Sequence, residues 1–159
     1  MIYDGVFVAV LLAFAVKLIQ IQRRTRKISL ATRDAQQESI LLRTPVQVKH
    51  RTSSGRWPTK TMGLMELVIR ANWIEVKSRP AWVGAVLGNA WYMPSKQCRM
   101  RYGNIRGDPL RREWITISGR DAIAREVGLA LRSLSDPQEA MRVLVDAGVG
   151  ISDDLEPPA

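Results

Sequence analysis

The sequence predicts an α+β protein: an N-terminal transmembrane helix, then a small antiparallel β-sheet domain closed by one or two C-terminal α-helices. Three observations predict it. Met1 to Ile21 is almost continuously apolar, and Arg23, Arg24, Arg26 and Lys27 follow at once. Short segments of alternating polarity fill the middle of the chain. Helix-starting signals gather only near its end, and strands first with helices last argue against an alternating α/β fold.

The N-terminal segment is justified by magnitude. Gly5 to Val16 carries no charge but is only twelve residues long, whereas a spanning helix needs about 20 residues at about 1.5 Å each. Extending it to Ile2 and Ile21 supplies the length and takes in Asp4, Lys17 and Gln20. The twelve Leu, Ile, Val and Phe residues of that stretch favour insertion by about 4–7 kcal/mol. A central Lys would cost about 2.5–3.5 kcal/mol, but Lys17 lies near the end, where its stem carries the ammonium to the headgroups. A cleavable signal peptide would carry its basic residues before the apolar core, with small residues after it. A surface-lying helix would have a polar face. Neither pattern is present. The membrane collar Lys17, Arg23, Arg24, Arg26 and Lys27 then places the N-terminus outside the cell membrane and the remainder of the chain in the cytoplasm.

The expected organisation is a transmembrane anchor over 1–22, a basic and polar juxtamembrane linker over 23–43, a cytoplasmic α+β domain over 44–149 and an acidic disordered tail over 150–159. Pro45 is expected to end the linker. Val46, Val48 and His50 alternate with polar neighbours, and residues 51–60 read as a loop from their Ser, Gly and Pro content. Leu64 to Arg70 and Trp73 to Ser78, joined at Ala71-Asn72, read as an antiparallel hairpin. In it Met65, Leu67 and Ile69 share one face, and Ile74 and Val76 face one way with Glu75 and Lys77 the other. Ala81 to Leu87 and Ala90 to Met93 are further apolar pieces. In Gln97 to Tyr102 the alternation puts Cys98, Met100 and Tyr102 inward and Gln97, Arg99 and Arg101 outward. Arg112 to Ser118 is another strand.

Two helices are then expected. The first starts at Ser118 as N-cap, with Asp121 approximating a capping box, and Ile123, Val127, Ala130, Leu131 and Leu134 on one face. The second has Asp136 as N-cap, Pro137 at its first position, an apolar stripe of Ala140, Met141, Leu144 and Val145, and Gly148 to end it.

The hairpin Leu64–Lys77 and the run Trp114-Ile-Thr-Ile-Ser-Gly-Arg-Asp121, passing from last strand into helix, resemble the bacterial PH-like (pleckstrin-homology-like) domains over about residues 44–134. The helix after Asp136 is extra to that pattern. The resemblance implies a non-catalytic binding or scaffolding module and does not by itself name a ligand.

Composition narrows the chemistry. One Cys and one His (Cys98 and His50) leave no zinc site of Cys and His ligands within one chain and no internal disulfide. No cofactor is expected. No catalytic set is visible: Cys98 falls on an inward-facing set, His50 reads as a rim residue, and the Ser54-Gly55-Arg56 loop lacks phosphate-loop spacing. Arg106-Gly107-Asp108 reads as a chance turn. The net charge of +9 is graded, with eleven Lys/Arg against three Asp/Glu in residues 1–60 and four against eight in residues 119–159. Such a gradient suits a chain held at a lipid bilayer. The candidate partner patch is Lys96, Arg99, Arg101, Arg106, Arg111 and Arg112, able to receive oxyanions bidentately, with Trp57 and Trp82 as exposed anchors. The expected partners are a protein or anionic lipid headgroups. The alternative is a membrane-anchored nucleic-acid-binding accessory protein, for example in DNA transfer, whose binding would fall steeply with salt.

Overall fold

The structure, a computed structural model, describes residues 2–33, 35–79, 90–133 and 135–152. The apolar N-terminal run forms one helix, α1 (Ile2–Ala31). Among the described residues nothing covers it: the segment Val6–Leu30 has no buried share. At about 1.5 Å per residue α1 is about 45 Å long, so it is long and apolar enough to cross a membrane. It also carries Arg23, Arg26 and Lys27 on exposed turns. The helix runs well past residue 22, which leaves only a short connection before the first strand.

The rest is built from eight strands: β1 (Ile40–His50), β2 (Met62–Arg70), β3 (Trp73–Ser78), β4 (Ala90–Pro94), β5 (Arg99–Asn104), β6 (Glu113–Arg120), β7 (Glu126–Ser133) and the short β8 (Gly150–Ile151). They form a single sheet in the order β4-β3-β2-β1-β7-β6-β5-β8. Two meanders, β1 to β4 and β5 to β7, are joined by antiparallel pairing of β1 with β7, and β8 alone is parallel to its neighbour. The sheet curls until the turn after β6 reaches the far edge, where Ala122 N donates to Tyr92 O at 2.7 Å.

The inner face holds the core. Val46 and Val48 of β1, Met65, Leu67 and Ile69 of β2, Ile74 and Val76 of β3, and Trp91 and Met93 of β4 face Cys98, Met100, Ile115, Ile117, Leu129 and Leu131. The period of two puts these residues on one side of their strands. Helix α2 (Pro137–Asp146) closes the space with Ala140 and Leu144. Its start is the expected one: the Asp136 carboxylate accepts from Gln138 N and Glu139 N. Gly148, at φ +90°, supplies the left-handed turn after its end. Ser95 Oγ donates to Ala147 O at 2.5 Å and ties that end to the β4–β5 connection.

Three expectations are corrected. The helix expected from Ser118 to Leu134 is a β-hairpin over residues 118–133, and Leu134 lies outside the described residues. Asp121 does not cap a helix; its carboxylate accepts from Ile123 N and Arg125 N and closes the turn between β6 and β7. Ala124 takes a positive φ of 63° there. Val127 and Leu131 fit a helical face, but with Leu129 between them they fit a period of two as well, and pairing on both sides of β7 selects the strand. Pro45 does not end a segment; it lies within β1, opposite Glu66. Among the described residues its pairing with β7 starts at the next position, Val46, and a strand tolerates proline where the missing N–H leaves no ladder bond unmade. Glu75 lies on the face opposite Ile74 and Val76, as expected, and is buried there because it sits between Arg70 and Lys77, with Arg70 Nε at 2.7 Å and Lys77 Nζ at 3.1 Å. Tyr102 is only half inward: its ring packs on the core while its hydroxyl donates to Glu113 at 2.6 Å. The apolar piece Ala81–Leu87, Trp82 and the tail from Asp153 lie outside the described residues.

Candidate functional site

Charged residues of the outer face of β1, β7 and β6 fall into two groups. The first is a closed cluster. Loop 105–112 folds over that face and places Ile105 against Trp114 and Ala130, with Trp57 packed on the same spot. Asp108, fully buried, accepts from Trp114 Nε1 at 2.9 Å and from Arg112 Nε and Nη2 at 3.2 and 2.9 Å. The Lys49 ammonium, also fully buried, lies 3.5 Å from Asp108 Oδ1 and 5.1 Å from the Trp114 ring centroid, and makes no hydrogen bond among the described residues. The Arg112 hydrogen bonds, with those of Trp114 and the Lys49 charge, hold the Asp108 carboxyl well below the usual carboxylate range against the opposing effect of burial. The Asp108 carboxylate is thus fully engaged, and the cluster fastens the loop.

The second group lines a groove of about 670 Å³ at the end of the sheet where β1 and β6 finish. One wall is the loop after β1. Thr52 closes that loop: its N–H donates to Arg56 O, and its hydroxyl meets Arg56 O, Arg56 N and Ser54 Oγ. Gly55, at φ +79°, allows the tight return. The other wall is the β6–β7 hairpin with Ser118, Gly119, Arg120 and Glu126. Gly128 between them has a steric task. A Cβ there would stand 3.1 Å from Arg51 Cβ, so the bare glycine lets the Arg51 stem lie flat. Arg51 Nε then donates to Gly55 O at 2.7 Å, and its guanidinium sits 5.8 Å from the Trp57 ring centroid. The η nitrogens make no hydrogen bond among the described residues, and Arg120 is exposed beside them.

His50 lines the same groove, its ring 5.0 Å from that of Trp91. Burial, and then the Arg125 charge, lower its pKa below the ordinary histidine value, so it is neutral at pH 7. Among the described residues no hydrogen bond joins His50 to Ser53 or Ser118, and no His, Cys, Asp and Glu group could hold a metal ion. The groove thus offers two guanidinium groups, three hydroxyls and one carboxylate, Glu126. That arrangement can receive an anionic, acceptor-rich group.

The residues singled out from sequence are distributed differently. Arg99 and Arg101 share the outer face of β5, and β6 is its neighbour as expected. Arg112 is engaged by Asp108. Exposed Lys96 precedes β5, and exposed Arg106 and Arg111 follow it, so the ends of the supposed patch are separated by the strand's length, about 17 Å. Trp57 is not a free anchor: it is half-buried on the Ile105–Trp114–Ala130 cluster. Asp108 of the Arg106-Gly107-Asp108 turn faces inward. From sequence Arg51, Ser53 and Arg120 carry no site role and Ser118 only that of a helix cap, because one pair lies in an apparent loop and the other in an apparent helix. Gly119 before Asp121 is the signal for a turn there. A Cβ on Gly119 would stand 2.8 Å from Gln97 O, an approach that only a packed strand end requires.

No family model matches the chain and no curated protein matches it. Among solved structures it is similar to the crystal structure of the C-terminal domain of an unknown protein from Leishmania infantum. The identity is 10%, the match covers 75% of this chain and 93% of that chain, and the TM-score is 0.42.

Proposed function

We propose that the chain is a single-pass protein of the cell membrane, N-terminus outside, whose cytoplasmic β domain is a non-catalytic binding module of PH-like type with the groove as its ligand site. The strand order supports the PH-like reading: two antiparallel meanders joined through their first and last strands, closed by one C-terminal helix. The collar of α1 supports the topology. The binding reading is carried by one observation. The buried carboxylates Glu66, Glu75, Asp108 and Asp121 are each paired with arginine, whereas Arg51 and Arg120 face an open groove. Charges committed to ion pairs hold the fold; charges directed into a groove meet a ligand.

Two measurements test the proposal. In sealed vesicles carrying the full chain, protease added from outside should digest the domain only in inside-out preparations; digestion in right-side-out ones would overturn the topology. In the same membranes, R51A/R120A should abolish saturable binding of an anionic probe such as pyrophosphate, read by Trp57 fluorescence. Unchanged binding in that variant would remove the groove as the site. Binding of duplex DNA lost steeply between two salt concentrations would favour the nucleic-acid reading instead.

A further inference from the structure

The anchor and the groove lie at opposite ends of one strand. The connection from α1 enters the domain through a clamp. Thr32 is buried, its hydroxyl donates to Ile28 O at 2.8 Å, and Gln36 N donates to Thr32 O. The Glu38 carboxylate then accepts from Asn72 N at 3.0 Å and Asn72 Nδ2 at 2.9 Å, while Arg70 donates to Glu38 O. Asn72 is in the β2–β3 turn, so the helix is fastened at that end of the sheet. From there β1 runs eleven residues, Ile40 to His50, to the first residue of the groove. At about 3.3 Å per residue this is about 33 Å.

We infer that the groove is turned away from the bilayer that holds α1 and takes an acidic segment of a soluble partner protein, not a headgroup of that bilayer. The inference rests on the proposed membrane span of α1. Ala31 lies about 15 Å beyond Ile21 along the helix, already past a headgroup layer about 5–8 Å thick. An upright β1 adds its full length to that height, and a flat one adds none but does not bring the groove down. Only a domain folded back along α1 would meet headgroups, and α1 is bare over Val6–Leu30. The separation also exceeds the Debye length of about 8 Å at physiological salt, so the collar and the groove act as independent electrostatic sites. The occupant follows from charge complementarity: Arg51, preset by Gly128, Gly55 and Trp57, stands with Arg120 against one carboxylate, Glu126.

The test uses the full chain in nanodiscs of phosphatidylcholine, with or without 30% phosphatidylserine (a ratio of roughly the acidity of a cytoplasmic leaflet). S29C and S53C are labelled in separate samples with a maleimide fluorophore, and a headgroup-borne quencher is added. The Ser29 label should be strongly quenched and the Ser53 label left bright in both lipid mixtures. A Ser53 label quenched as strongly as the Ser29 label, or quenched on adding phosphatidylserine, overturns the geometry and favours a lipid ligand. If the Ser29 label is also unquenched, the membrane span itself has failed, a distinguishable result. In the unlabelled chain, a deca-aspartate peptide should then shift the tryptophan emission saturably, and deca-lysine should not. R51A/R120A should weaken the acidic peptide about tenfold or more, the loss expected for one charge-assisted hydrogen bond. No response to deca-aspartate, or an equal response to deca-lysine, overturns the acidic partner.

Discussion

Removing the carboxylate of Asp108 should destabilise the domain far more than removing the ammonium of Lys49, although the two face each other. The asymmetry comes from counting partners. Asp108 is one anion shared by two cations, Arg112 at 2.9 Å and Lys49 at 3.5 Å. Both Asp108 and Lys49 side chains are fully buried. At 3.5 Å and an effective dielectric constant of about 20, the Lys49 attraction is about 5 kcal/mol before desolvation. D108N leaves Lys49 buried with only the Trp114 face beside it, and should cost about 3–5 kcal/mol. K49M keeps the Arg112–Asp108 pair and the Trp114 hydrogen bond intact and fills the same space, so it should lie within about 1 kcal/mol of the wild type. D108N in the K49M background should then cost clearly less than alone, with a coupling of about 2 kcal/mol or more. The assay is urea unfolding of the full chain in detergent, followed by tryptophan fluorescence. pH supplies a second readout. The Asp108 carboxyl is held well below its unfolded value of about 3.9. Its stabilisation is therefore fully present above that value and is lost as pH falls below it. K49M/D108N should lack that part of the acid sensitivity. Equal costs of D108N in the two backgrounds, with coupling under about 0.5 kcal/mol, would refute the idea that these charges share one buried field.

Three further outcomes are expected. Burial pushes the Cys98 thiol up to about 11, so at pH 8 the folded protein should react with iodoacetamide far more slowly than the urea-unfolded chain; equal rates would place the thiol at the surface. G119A should destabilise by about 1–3 kcal/mol through overpacking, because its Cβ would stand 2.8 Å from Gln97 O and 2.9 Å from Cys98 Sγ; a midpoint unchanged in urea would mean the β6 end is looser than described. D136A should cost about 0.5–2 kcal/mol by freeing Gln138 N and Glu139 N, and D136S should recover most of it.

The elements legible in the sequence were those whose signals are local. The β2–β3 hairpin follows from its alternation and its Ala71-Asn72 turn, and α2 follows from Asp136, Pro137 and Gly148; both form over nearly the residues expected. Residues 118–134 defeat a local reading because they satisfy two periods at once. Asp121 is equally able to cap a helix or to close a turn, since both uses direct its carboxylate to backbone N–H groups a few residues on. What decides is remote: the unfilled edges of β1 and β6, whose N–H and C=O groups must be paired, and the close seat of Gly119 under Gln97 and Cys98. The groove was missed for the same reason, because one of its walls exists only if 118–133 is a hairpin. Alternation also carries less than it promised at Glu75 and Lys49. It tells which residues share a face, not which face is dry, and here loops and curvature cover parts of both. A polar residue on the second face is then buried whenever a partner of opposite charge lies within reach. What marks such a site is therefore not the charge itself but two opposite charges brought together by the fold, as Lys49 of β1 and Asp108 of the loop over its outer face are.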